Sequence, residues 1–161
     1  MAVALPFAES EIRLLQSLLK FKVRFMVVGL SAATLQGAPV VTQDVGLWFE
    51  DLGDPRLVEA LGTVGAAYAP PSPVNPPMLA GAGSELFDIV FKLDGLDSFA
   101  EEFKGCVSIP LGRQRLKVLP LERILASKLA ANRPKDKLTI PILRDVIATA
   151  ESLARKTGDS K

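Results

Sequence analysis

The chain has 161 residues, 48% of them apolar, and a formal net charge of +1, which fits one domain with a sizeable core. Near-cancelling charge excludes a basic surface as the basis of nucleic-acid binding, and no segment reaches the roughly 18 apolar residues of a membrane span. The absence of histidine excludes Ser-His-Asp and Cys-His catalysis and most zinc sites. An enzyme built from this chain must rely on carboxylates, lysine, arginine or a hard metal such as magnesium.

The first residues, Met1 to Glu9, lack the basic start of a secretory signal. Ser10 to Lys20 has Ile12, Leu15, Leu18 and Leu19 at helical spacing, with Ser10 as the expected N-cap. Lys22 to Val28 reads as a strand ended by Gly29, and Ser31 to Gln36 as a short helix closed by Gly37. Asp44 to Phe49 reads as a strand with Val45, Leu47 and Phe49 on one face and Asp44, Gly46 and Trp48 on the other. Pro55 to Leu61 is a helix with Asp54 as N-cap. Ala69 to Pro77 is punctuated by prolines and reads as a surface loop or a flap over a site, and Gly81 to Gly83 as loop. Glu85 to Lys92 is a strand with Asp88 at its middle. Val107–Pro110 and Gln114–Leu119 form a hairpin turning at Leu111-Gly112-Arg113. The lone Cys106 leaves no internal disulfide and reads as a small core residue in a reducing, cytoplasmic protein. Leu121 to Ala131 is a helix, and Pro134 to about Arg155 another, bending at Pro141, with a fraying Thr157–Lys161 tail. The order predicts an α/β or α+β sheet covered by helices. We expect one domain over residues 1–161, with a sheet-containing core at 1–119 and C-terminal helices at 120–156.

Asp44 and Asp88 occupy strand positions where a carboxylate is expensive unless it is paired or bound to metal. On one sheet face they would form a magnesium site of the kind used in phosphoryl-group transfer. The bland reading makes Asp44 a turn residue and Asp88 a solvated edge-strand residue. Arg113, Arg115 and Lys117 alternate as on a solvated strand face, and Lys128, Arg133, Lys135 and Lys137 fit either phosphate contacts or a solvated helix junction.

The run Val28 to Leu47 resembles the nucleotidyltransferase superfamily, whose fold is shared with DNA polymerase beta, and its AbiEii toxin-like bacterial branch in particular, which brings a toxin–antitoxin setting. The matching residues are Gly29, Ala32, Gly37, Thr42 and Asp44, with Asp88 where a third carboxylate belongs. Val118 to Leu129 and Arg133-Pro134-Lys135-Asp136 match the C-terminal helix with its lysine and the Arg-x-Lys-Asp that follows. The resemblance covers roughly residues 20 to 150. It implies a mixed sheet flanked by helices with a helical C-terminal portion. It also implies Asp44 and Asp88 as catalytic, magnesium-holding residues, and Gly29, Ser31, Thr42, Lys128 and Arg133 as contacts to an NTP.

The chain departs from that pattern at Gly46 in place of the second carboxylate, Leu30 in the glycine turn, Val40 in place of an arginine, and Gln36 in place of a histidine. Glu50 lies about 13 Å further along the strand and cannot substitute for the missing carboxylate. Trp48, on the same face, is expected to fill the space over the site or to stack on a base. Asp136 is expected to cap the last helix or pair with a nearby base. Three readings follow. One is a degenerate nucleotidyltransferase-like protein that binds a nucleotide or a protein partner. Another is an active enzyme moving a nucleoside monophosphate from NTP to a protein, RNA or small-molecule hydroxyl. The last is a structural protein using its apolar C-terminal helix as an oligomer face.

Overall fold

The computed structural model describes residues 6–159; the Met1–Leu5 end and the Ser160–Lys161 end of the tail lie outside them. α1 (Glu9–Lys20) turns Leu14, Leu15 and Leu18 into the core. Its first turn is closed by Glu11, whose Oε1 accepts the Ala8 N–H at 2.6 Å, while Ser10 sits inside the helix and is not its cap. Lys22 takes a left-handed φ of 60°, so β1 (Phe25–Val28) starts three residues later than the composition suggests, and all of it is buried. α2 (Gly29–Leu35) follows directly, two residues earlier than expected. β2 (Val45–Phe49) and α3 (Pro55–Gly62) match expectation, and Asp54 accepts the Arg56 N–H as N-cap.

The prolines of the Ala69–Pro77 stretch lie in an exposed surface loop, as expected. They connect β3 (Ala66–Ala69) to β4 (Met78–Gly81) in an antiparallel hairpin. β5 (Phe87–Val90) is the short central part of the expected Glu85–Lys92 strand. α4 (Phe99–Lys104) carries no helical period because it is only 6 residues long; Ser98 caps it. β6 (Val107–Leu111) and β7 (Gln114–Val118) form the expected hairpin. α5 (Leu121–Ala131) ends at Asn132 in a left-handed conformation, and α6 (Asp136–Asp159) continues through Pro141.

The main sheet has 5 strands in the order β5-β2-β1-β7-β6. It is mixed: β1 pairs antiparallel with β2 and parallel with β7, while β2 pairs parallel with β5. Side chains alternate between faces along each strand. Phe25, Val27, Leu47 and Phe49 therefore share one face, where the Phe25 and Phe49 rings lie 5.7 Å apart. Met26, Val28, Gly46 and Trp48 share the other. α4 covers the Trp48 end of this second face, with Phe99 edge-on to Trp48 at 5.5 Å. α2 packs on β1, β2 and α5, and α6 packs on α5. Glu102 of α4 receives two hydrogen bonds from Arg123 of α5, at 2.9 and 2.6 Å, and one from the Asp97 N–H. Cys106 packs its sulfur against that of Met26 at 3.6 Å, and burial pushes its thiol up to about 11. Among the described residues no helix is long and apolar enough to cross a membrane.

Candidate functional site

Two strand registers build the centre of the candidate site. Gly46 lies opposite Val28 across β1–β2 and opposite Asp88 across β2–β5. An aspartate two residues before Gly46 shares its face, so Asp44, Gly46 and Asp88 belong to one patch at the start of β2 and β5. Asp44 and Asp88 are both exposed. Partial burial, and then the negative charge of Asp44, push the Asp88 carboxyl above its ordinary value. The Thr42 hydroxyl donates to the Asp44 carbonyl at 2.8 Å and so fixes the backbone entering β2.

The two glycines of the expected motif serve different ends. Gly29 has φ +72° and nothing within 4 Å of an added Cβ, so it is there for its backbone conformation at the β1–α2 junction. Gly46 has no such φ; an added Cβ would lie 3.1 Å from a methyl of Val28 and 3.1 Å from a methyl of Val90. The space above position 46 is therefore taken by two valines. Trp48 is 5% exposed and packs edge-on against Phe99, further along the strand. Cross-strand register brings both Val28 and Val90 to this face.

The remaining residues of the expected nucleotide site have partners inside the protein. Ser31 is buried and its hydroxyl donates to the Val28 carbonyl at 2.9 Å. Gln36 donates through Nε2 to the Ala32 and Leu119 carbonyls, at 3.0 and 2.8 Å, and ties the end of α2 to the end of β7. Lys128 and Arg133 converge on Asp136, which is 1% exposed: Lys128 Nζ lies 3.5 Å from Oδ1 and Arg133 Nε donates to Oδ2 at 2.9 Å. The Arg133 N–H also donates to Oδ2, so Asp136 holds the junction between α5 and α6. Burial pulls the Lys128 ammonium below its ordinary value, against the opposing pull of Asp136. Burial alone would push the Asp136 carboxyl up; the Arg133 hydrogen bonds and the charge of Lys128 bring it below its ordinary value.

A cleft of about 660 Å³ adjoins Asp88, walled by β4 from Met78 to Gly81 and by Ser84, Glu85 and Phe87, with no basic side chain on its lining. Magnesium in a two-ion arrangement needs several oxygen ligands converging on one point. Among the described residues no group of three or more acidic, histidine or cysteine side chains is placed to hold a metal ion. The donor set at this patch is two exposed carboxylates beside a valine-covered glycine, and it does not fit that arrangement.

The mixed sheet with its flanking and C-terminal helices defines a nucleotidyltransferase-like fold. Solved structures share it, two of them of the same protein. A crystal structure of ANT(2'')-Ia in complex with adenylyl-2''-tobramycin superposes with a TM-score of 0.53 at 14% identity, covering 92% of this chain and 94% of that one. A solution structure of the antibiotic-resistance factor ANT(2'')-Ia superposes with a TM-score of 0.54 at 12% identity, covering 94% of each chain. No protein-family model and no curated protein matches the chain.

Proposed function

We propose that this chain is a single-domain protein of nucleotidyltransferase fold that acts by binding rather than by nucleotidyl transfer. One observation carries the reading: the position across the ladder from Asp88 is Gly46, under valine methyls, where a metal-holding carboxylate is needed. The burial of Ser31, whose hydroxyl donates to the Val28 carbonyl, supports it by removing a group that would cradle a triphosphate. The ligand is a nucleotide or a protein partner. The motif order supports the AbiEii toxin-like branch and, with it, the protein partner.

The second reading is nucleoside monophosphate transfer from NTP to a hydroxyl. It is favoured by the placement of Asp44 and Asp88 on one sheet face, where partial burial and then the charge of Asp44 raise the Asp88 carboxyl. The adenylylated small molecule in the ANT(2'')-Ia complex suggests a small-molecule acceptor in that case. Incubation with labelled NTPs and magnesium or manganese, beside an Asp44→Asn/Asp88→Asn control, separates the two. No transfer is expected. Transfer that needs both aspartates overturns the binding reading, and calorimetry with NTP alone distinguishes nucleotide from protein as the ligand.

A further inference from the structure

We infer that Val28, Gly46 and Val90 act as one apolar seal over the place of the second carboxylate, so that an aspartate restored at position 46 alone does not restore a divalent-cation site. The inference rests on the non-catalytic reading above and adds a cause to it. If a lost ligand were the whole defect, position 46 would be an empty place waiting for a side chain. Instead, the built Cβ meets methyl carbons of two different strands, both at 3.1 Å, with the Val28 carbonyl at 3.7 Å. Ordinary packing leaves more room than that, so a methyl fits only if its valine neighbours give by a few tenths of an ångström.

The residues come from three strands: Val28 is the register partner of Gly46 on β1, while Val90 lies on β5 two residues beyond Asp88, on the same face. Val28 is 1% exposed and wedged into the core, so the freer neighbour is the half-buried Val90. An aspartate at position 46 would have to push past these methyls and expose its charge beside them, and an unpaired carboxylate against apolar groups is costly. Glycine at this position is thus matched to its neighbours by volume, since its backbone needs no glycine.

The test is a pair of mutant cycles on the full chain. In the first, Gly46→Ala is made in the unsubstituted protein and in Val90→Ala, and urea midpoints are compared. The seal predicts that Gly46→Ala lowers the midpoint in the unsubstituted protein and that this loss shrinks or reverses in Val90→Ala, because alanine in an open strand position is otherwise better than glycine. In the second, binding of Mn²⁺ is followed by electron paramagnetic resonance for the unsubstituted chain, Gly46→Asp and Gly46→Asp/Val90→Ala. The first two are expected to bind alike, and the double variant about tenfold tighter or better, since affinity for hard cations follows the number of charged ligands. Equal midpoint shifts in the two backgrounds overturn the seal. So does a tenfold gain by Gly46→Asp alone, or no gain in the double variant. If Gly46→Asp does not fold, the alanine cycle decides by itself. Tight Mn²⁺ binding by the unsubstituted chain that Asp88→Asn abolishes would instead sink the non-catalytic reading, with the seal still judged by the alanine cycle.

Discussion

Asp88 stands directly across the β2–β5 ladder from Gly46, and its charged neighbour on that face is Asp44. A carboxylate in this setting has a like charge nearby and, among the described residues, no cation bonded to it. Its raised pKa means that folding favours the protonated form. The stability this brings is present below the unfolded value, about 3.9, and is lost as pH rises through the folded value.

Asp88→Asn is therefore expected to raise the urea midpoint at pH 7 and leave it unchanged near pH 3. The effect is small because the group is exposed. Urea titrations at the two pH values check it. A fall in midpoint at pH 7 would mean that Asp88 has an attractive partner.

Asp136 and Lys128 should respond unequally to mutation. Asp136→Ala strands the Lys128 ammonium, whose side chain is 14% exposed, and frees the Arg133 N–H. It should cost about 2–3 kcal/mol, less than a fully buried pair because Arg133 is half exposed. Lys128→Met keeps the Arg133–Asp136 bonds and removes a charge that burial disfavours, so it should change stability by less than about 1 kcal/mol. Urea unfolding of the two variants side by side tests the difference. A larger loss for Lys128→Met would point to work done by the ammonium outside this pair.

The acid limb of stability has identifiable sources. Hydrogen bonds from Arg123 hold the Glu102 carboxyl below its ordinary value, and Asp136 is likewise lowered. Both unfolded forms take up protons first as pH falls. Their contribution is complete above the unfolded values, about 4.3 for Glu102 and 3.9 for Asp136, and disappears as pH drops through the lower folded values. Glu102→Gln should lie below the unsubstituted protein in midpoint at pH 7 and converge with it toward pH 2. A gap that persists unchanged to pH 2 would assign the loss to packing rather than to charge.

Cys106 is a further probe of the fold. With its thiol pushed up to about 11 and its sulfur against Met26, the reactive thiolate is scarce at pH 8. Alkylation in the native state should be at least about a hundredfold slower than in urea, with a rate that climbs until about pH 11. Native labelling at the unfolded rate would place Cys106 outside the packed layer.

Elements with a long period or a strong stop signal were legible from local pattern. α1, α3, α5 and the β6–β7 hairpin follow from apolar spacing, the Asp54 cap and the turn at Gly112. β3 and β4 were not, because Ala66-Ala67-Tyr68-Ala69 has no apolar alternation and its partner lies beyond a proline-rich connection. α4 is shorter than two helical turns, and its one signal was the Ser98–Glu101 spacing of a capping pair.

At the site, strand alternation alone placed Asp44 and Gly46 on one face, and the resemblance to the nucleotidyltransferase pattern marked a carboxylate as missing from it. Those are properties of neighbouring residues. Tertiary structure decided the rest: that Asp88 meets position 46, that Val28 and Val90 close over it, and that Asp136 claims Lys128 and Arg133. Register between strands and the choice of a charge's partner depend on contacts between residues far apart in the chain, and such contacts leave no periodic trace along it.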